Sequence, residues 1–142
     1  MIIAFFGHSD FVRTLETEEK MMLTLRELTD GKDAELLLGG YGAFDRFSLG
    51  CCKRLRRYNP NVKLVLVTPY PDRMPDDRAE YDEAVYPPLE QTPPRFAISA
   101  RNRWMVDRAE IIIAYVNRTT GGAAKAIEYA GRKNKRVINI SE

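Results

Sequence analysis

Two glycine-rich turns hold most of the residues in this chain that could do chemistry. Gly39, Gly40 and Gly42 surround Tyr41 directly after the apolar stretch Glu35 to Leu38. Gly121 and Gly122 follow Ile111 to Val116, after Asn117-Arg118-Thr119-Thr120. Glycine reaches positive φ without steric cost and lets backbone come close to a ligand. Where such a turn opens a helix, the free N–H groups and the positive dipole end favour a phosphate. A single turn of this kind is equally a tight turn with no ligand. Two of them at matching strand ends point to a phosphate or nucleotide site.

Other residues qualify by position. His8, the only histidine, sits between Gly7 and Ser9 just past the first apolar run, where it either donates to a phosphate, moves a proton or is structural. Thr119 and Thr120 either cap the following helix or donate to a phosphate. Asp45 caps its helix or contacts a ribose hydroxyl. Arg101 and Arg103 either fork an anion bidentately or lie on a solvated helix face, while Trp104 and Met105 read as core. Glu128 stands four residues before Arg132, a spacing that also describes a plain surface pair.

The elements that must position these groups alternate along the chain. Ile2 to Phe6 is a short continuous apolar run, the pattern of a strand buried on both faces. A helix is expected over 16–29, with Met21, Leu25 and Leu28 on one side and Asp30-Gly31 at its end. Glu35 to Leu38 is the second strand. Phe44, Phe47, Cys51 and Leu55 mark the next helix, which Asn59-Pro60 stops. Val62 to Val67 is the third strand. Seven of the eight prolines lie between Pro69 and Pro94, which makes that stretch irregular, with a short strand at Glu83 to Tyr86. It leaves the third strand at the ligand-binding edge, so it is expected to cover part of the pocket, as long irregular segments that act as lids do. A helix at Arg95 to Arg108, a strand at Ile111 to Val116, a helix at Gly122 to Lys133 and a strand at Val137 to Ile140 complete the chain. Strands separated by helices imply parallel pairing with right-handed crossovers. The expected fold is one α/β domain spanning 1–142, a Rossmann-like, doubly wound, mainly parallel sheet with helices on both faces. Ligands of such sheets bind beyond the carboxyl ends of the strands, where strand order reverses.

Composition narrows the partners. With 142 residues, 44% hydrophobic and 30% charged, the chain is an ordinary globular protein. A net charge of +2 and no aromatic-basic stripe along the sequence argue against nucleic acid. Cys51 and Cys52 are adjacent and form neither a disulfide framework nor a metal spacing. No metal and no cofactor are expected. Free thiols and the absence of a signal-peptide pattern at Met1 to His8 give a cytoplasmic reading, and no segment approaches membrane-spanning length.

Three segments together carry a resemblance. Gly39-Gly40-Tyr41-Gly42-Ala43-Phe44-Asp45, Arg101-Asn102-Arg103-Trp104-Met105-Val106-Asp107 and Thr120-Gly121-Gly122-Ala123-Ala124-Lys125-Ala126-Ile127-Glu128-Tyr129-Ala130 resemble the SLOG superfamily. This Rossmann-like group is named for the DNA-processing Smf/DprA proteins and the cytokinin-activating LOG enzymes. The likeness is greatest to its short stand-alone members in bacterial and prophage genomes. LOG-type enzymes are phosphoribohydrolases that release the base from a nucleoside monophosphate. Their pattern has an arginine before a strand, matched by Arg101, then Pro-Gly-Gly-x-Gly-Thr-x-x-Glu. Gly121, Gly122 and Glu128 match that motif, whereas Thr120 replaces its proline and Ala124-Lys125 replace its Gly-Thr. The resemblance implies that, in a hydrolase, Glu128 would stabilise an oxocarbenium-like sugar or activate water and Arg101 would orient it. It also implies a homodimer or larger homo-oligomer.

The departures from the hydrolase motif order the readings. A nucleotide-binding sensor or sequestering protein, in phage-host conflict by the resemblance, comes first. A nucleoside 5'-monophosphate phosphoribohydrolase comes second, and single-stranded DNA binding third.

Overall fold

The computed structural model describes residues 1–142, and every helix and strand in it answers to an apolar pattern in the chain. β1 (Ile2–Gly7), β2 (Ala34–Leu38), β3 (Val62–Val67), β4 (Glu83–Val85), β5 (Ile111–Tyr115) and β6 (Arg136–Asn139) form one sheet in the order β4-β3-β2-β1-β5-β6. All five pairings are parallel. The first four strands step outward in one direction. β5 then returns to the other side of β1, so strand order reverses between β1 and β5. The doubly wound α/β fold read from the sequence is the fold observed.

Continuous apolar strands are explained by cover on both faces. Alternate residues of β1 enter different cores. Ile3 and Phe5 pack with Met21 and Leu25 of α1 (Leu15–Thr29) and Phe44 and Leu55 of α2 (Ala43–Leu55). Ala4 and Phe6 pack with Met105 and Val106 of α3 (Ala97–Arg108) and Ala126 and Ala130 of α4 (Gly122–Arg132). Met105 is core as expected, while Trp104 is only partly buried, with the Arg108 guanidinium 4.5 Å from its ring.

Local chemistry sets the boundaries. Thr14 caps α1 by accepting the Thr17 N–H at 3.1 Å. Asn59 does more than stop a helix: its amide donates to the Thr29 and Lys32 carbonyls at 2.7 and 2.8 Å, clamping the turn into β2. α3 begins two residues later than expected because Pro94–Phe96 forms a separate 3-10 turn. β6 begins one residue earlier than expected, and the Asn139 side chain extends its pairing by bonding both the N–H and the carbonyl of Val116. No helix is long and apolar enough to cross a membrane.

Candidate functional site

The reversal of strand order leaves a cavity of about 250 Å³ at the carboxyl ends of β1, β2 and β5. Gly7, His8 and Ser9 come to it from β1, Gly39, Tyr41, Gly42 and Asp45 from the β2–α2 turn, Arg101 from α3, and Gly121 and Gly122 from the start of α4. Ten of the sequence-derived site residues therefore share one wall-to-wall space.

Arg101 dominates this space. The residue is 4% exposed. Its Nη1 donates to the carbonyls of Gly39 and Val67, at 2.9 and 2.8 Å, and its Nε to Asn102 Oδ1 at 2.9 Å. No carboxylate lies within ion-pair distance, and Nη2 makes no hydrogen bond within the chain. Burial lowers the affinity of this guanidinium for its proton, with the Asp45 charge acting in the opposite sense. A desolvated cation lacking a counter-charge is costly, and an anion in the cavity would offset that cost. Gly39 keeps room beside it, since a Cβ there would stand 3.0 Å from the guanidinium carbon and press on its hydrogen bonds.

The two glycine turns differ in what they leave free. At α2, the Gly42 cap has φ +90°, the Ala43 N–H is spent on the Ser9 carbonyl at 3.0 Å, and the Tyr41 N–H on Asp45 Oδ2 at 3.0 Å. At α4, Gly121 has φ +97° and no side chain caps the helix. The amides of Gly122, Ala123 and Ala124 have no acceptor within the helix. Thr119 and Thr120 are exposed and neither caps α4 nor lines the cavity. Gly40 also lies outside it: its φ of +80° turns the chain against Leu66 and Pro75.

His8 is 4% exposed, and its Nε2 accepts the Asn117 N–H at 3.1 Å. That bond places any ring proton on Nδ1 and ties the end of β1 to the loop after β5. Burial, then the Arg118 charge, pushes the imidazole below its ordinary value, against the raising effect of Asp10. Arg118 and Asp10 close the same two loops through a bidentate pair at 2.9 and 3.2 Å. Sequence reasoning missed Arg118, Asn102 and Ala123 as cavity residues. Asn102 was readable as the neighbour of Arg101, whereas Arg118 offered no spacing to mark it.

Burial raises the Asp45 carboxyl to about 6, the Tyr41 N–H and Arg101 lower it, and Asp77 raises it. The folded protein therefore holds this proton above the pH at which the unfolded chain releases it, and ionised Asp45 lowers stability as pH rises from about 4 through 6. Asp45→Asn keeps an acceptor for Tyr41 and removes the charge. We expect it to stabilise the protein by about 1–2 kcal/mol at pH 7.5, with the difference from wild type vanishing near pH 4. Denaturant unfolding at the two pH values checks this, and a constant difference would exclude it.

Arg101 and Glu128 do not meet in this cavity. Glu128 lines an adjoining groove of about 720 Å³ and pairs with Arg132 at 3.0 Å, the surface pairing that its spacing allowed. No residue between 69 and 94 lines the inner cavity. The proline-rich stretch flanks the site, touching it where the Tyr41 hydroxyl donates to the Arg73 carbonyl at 2.8 Å, and does not cover the cavity as a lid.

Structural comparison agrees with this architecture. DNA processing protein A from Streptococcus pneumoniae superposes over 95% of this chain and 48% of its own, at 16% identity and a TM-score of 0.65. The two proteins share one fold. A second structure, Helicobacter pylori DNA processing protein A, described for its single-stranded DNA binding mode, matches 96% of this chain and 63% of its own (17% identity, TM-score 0.63). The molybdenum cofactor binding protein of Rippkaea orientalis matches 97% and 74% (19% identity, TM-score 0.64). The chain thus spans about half of the pneumococcal protein and under two thirds of the Helicobacter one. No family model and no curated protein matches the sequence. At these identities what is shared is the fold, and neighbours of that fold bind different ligands.

Proposed function

We propose that this protein binds a nucleotide or nucleotide-derived small molecule, with a phosphate seated between Arg101 and the uncapped amino end of α4. The observation that carries this reading is the buried Arg101 guanidinium, which faces the cavity without an acidic partner. The free α4 amides supply a second set of donors to the same anion. A role as sensor or sequestering protein follows from a site that holds phosphate but places no carboxylate pair around it. The test is mass spectrometry of small molecules released on denaturing the purified protein, followed by calorimetric titration with the compounds found. Recovery of none, together with no heat from any of the four common nucleoside monophosphates, would remove the proposal.

Phosphoribohydrolase activity ranks second because Glu128 lines the adjoining groove, paired with Arg132, and not the cavity that Arg101 faces. We expect no free base after prolonged incubation with nucleoside monophosphates, read by chromatography. Base release that Glu128→Gln abolishes would reverse the ranking.

A further inference from the structure

The inner cavity opens into the groove between α3 and α4. Ile98, Asn102, Gly121 and Gly122 line both. At about 250 Å³ the inner space is smaller than the roughly 300–1,000 Å³ usual for small-molecule sites, and the groove adds about 720 Å³. Four cations line it: Arg95, Arg103, Lys125 and Arg132. Only Arg132 has a carboxylate partner, Glu128, and that is the one acidic residue in the lining. Elsewhere on the surface some basic side chains are matched, as Lys53 is by Glu80 and Arg56 by Asp82; what marks the groove is that four cations share one lining with a single carboxylate. The groove cations are also placed against rings. Arg95 lies 4.8 Å from the Phe96 ring, and Arg103 and Arg132 lie 5.5 and 5.8 Å from the Tyr129 ring. The Tyr129 hydroxyl is held by Asp107 at 2.8 Å, fixing that ring. This is the aromatic-basic arrangement absent from the linear sequence. Two helices assemble it.

We infer that the ligand is a dinucleotide: one phosphate in the inner cavity and a second phosphate, with its base, in the α3–α4 groove. The inference rests on the phosphate site proposed above and extends it. Cations lacking partners attract the second phosphate. Phe96 and Tyr129 offer flat faces on which a base stacks. The groove supplies the volume that the inner cavity lacks.

The experiment titrates each of the four nucleoside 5'-monophosphates, its 5'-phosphorylated homodinucleotide and a ten-nucleotide homopolymer into wild type and Arg103→Ala/Lys125→Ala. Both substituted residues are exposed, so the variant retains the fold. For at least one base, the dinucleotide should bind at least tenfold tighter than the monophosphate at 50 mM salt. The double variant should abolish that preference and leave monophosphate affinity within twofold. Added salt should shrink the preference, as expected for exposed charges. Equal affinity of mono- and dinucleotide overturns the inference while leaving the phosphate site standing. A decamer binding tenfold tighter than the dinucleotide also overturns it and makes the groove a nucleic-acid surface. No binding by any probe removes the phosphate site and this inference together.

Discussion

Arg101→Met is expected to abolish binding of phosphate-bearing ligands while leaving the apo protein folded. In wild type the Arg101 guanidinium is almost wholly buried, so its bond to an anion is charge-assisted and weakly screened. Truncating one partner of such a buried pair costs about 2–5 kcal/mol, a loss of affinity from about thirtyfold to several-thousandfold. Effects on stability run in both directions. The Gly39 and Val67 carbonyls lose a donor, at about 1–3 kcal/mol for each group left unpaired. Removing a desolvated cation that lacks a counter-charge returns several kcal/mol. We expect apo melting temperatures to agree within a few degrees and the ligand-induced rise to disappear. A variant that still shows that rise would show that Arg101 serves the fold alone.

How much of this was readable beforehand depends on whether a feature is local. β3 has the expected limits, Val62–Val67, because a run of β-branched and leucine residues bounded by Asn61 and Thr68 leaves one solution. Parallel pairing followed from the helical spacing, and with it the edge on which His8, Gly42, Arg101 and Gly122 meet. What failed was the detail of turns. Gly40 and Gly42 look alike in sequence, yet one packs on Leu66 and the other faces the cavity. Thr119 and Thr120 look like caps, but their loop carries them into solvent. The state of Arg101 was not legible either. Its type and position were, but its lack of an acidic partner depends on where Asp45 and Glu128 settle, which only the packed structure decides. The basic groove was hidden for the same reason, since its members lie on separate helices.

The glycines at the site serve two purposes, and alanine substitution should separate them. Gly7 ends β1 against the Phe44 ring, and a Cβ there would stand 2.1 Å from a ring carbon. Phe44 is 1% exposed and has Phe11 edge-on at a centroid distance of 5.4 Å, so the ring has nowhere to go. Overpacking of this kind commonly costs 1–3 kcal/mol, and a contact this close on a confined ring belongs at or above the upper end, about 3 kcal/mol. Gly7→Ala should therefore lower the melting temperature by roughly 10 °C. Gly122 is the opposite case. Its φ is not in the left-handed region, and a Cβ would meet only Asn102 Nδ2, at an ordinary 3.9 Å. Alanine at the first position of α4 should raise stability by about 0.5 kcal/mol through the unfolded chain, while its methyl group narrows the approach to the free amides. Thermal unfolding and ligand titration of the two variants should give opposite patterns. Gly7→Ala loses stability, and Gly122→Ala keeps stability and loses about tenfold in ligand affinity, roughly 1.4 kcal/mol. If Gly7→Ala melts like wild type, the Phe44 ring is not confined as the packing indicates. If Gly122→Ala binds like wild type, the phosphate does not rest on the start of α4.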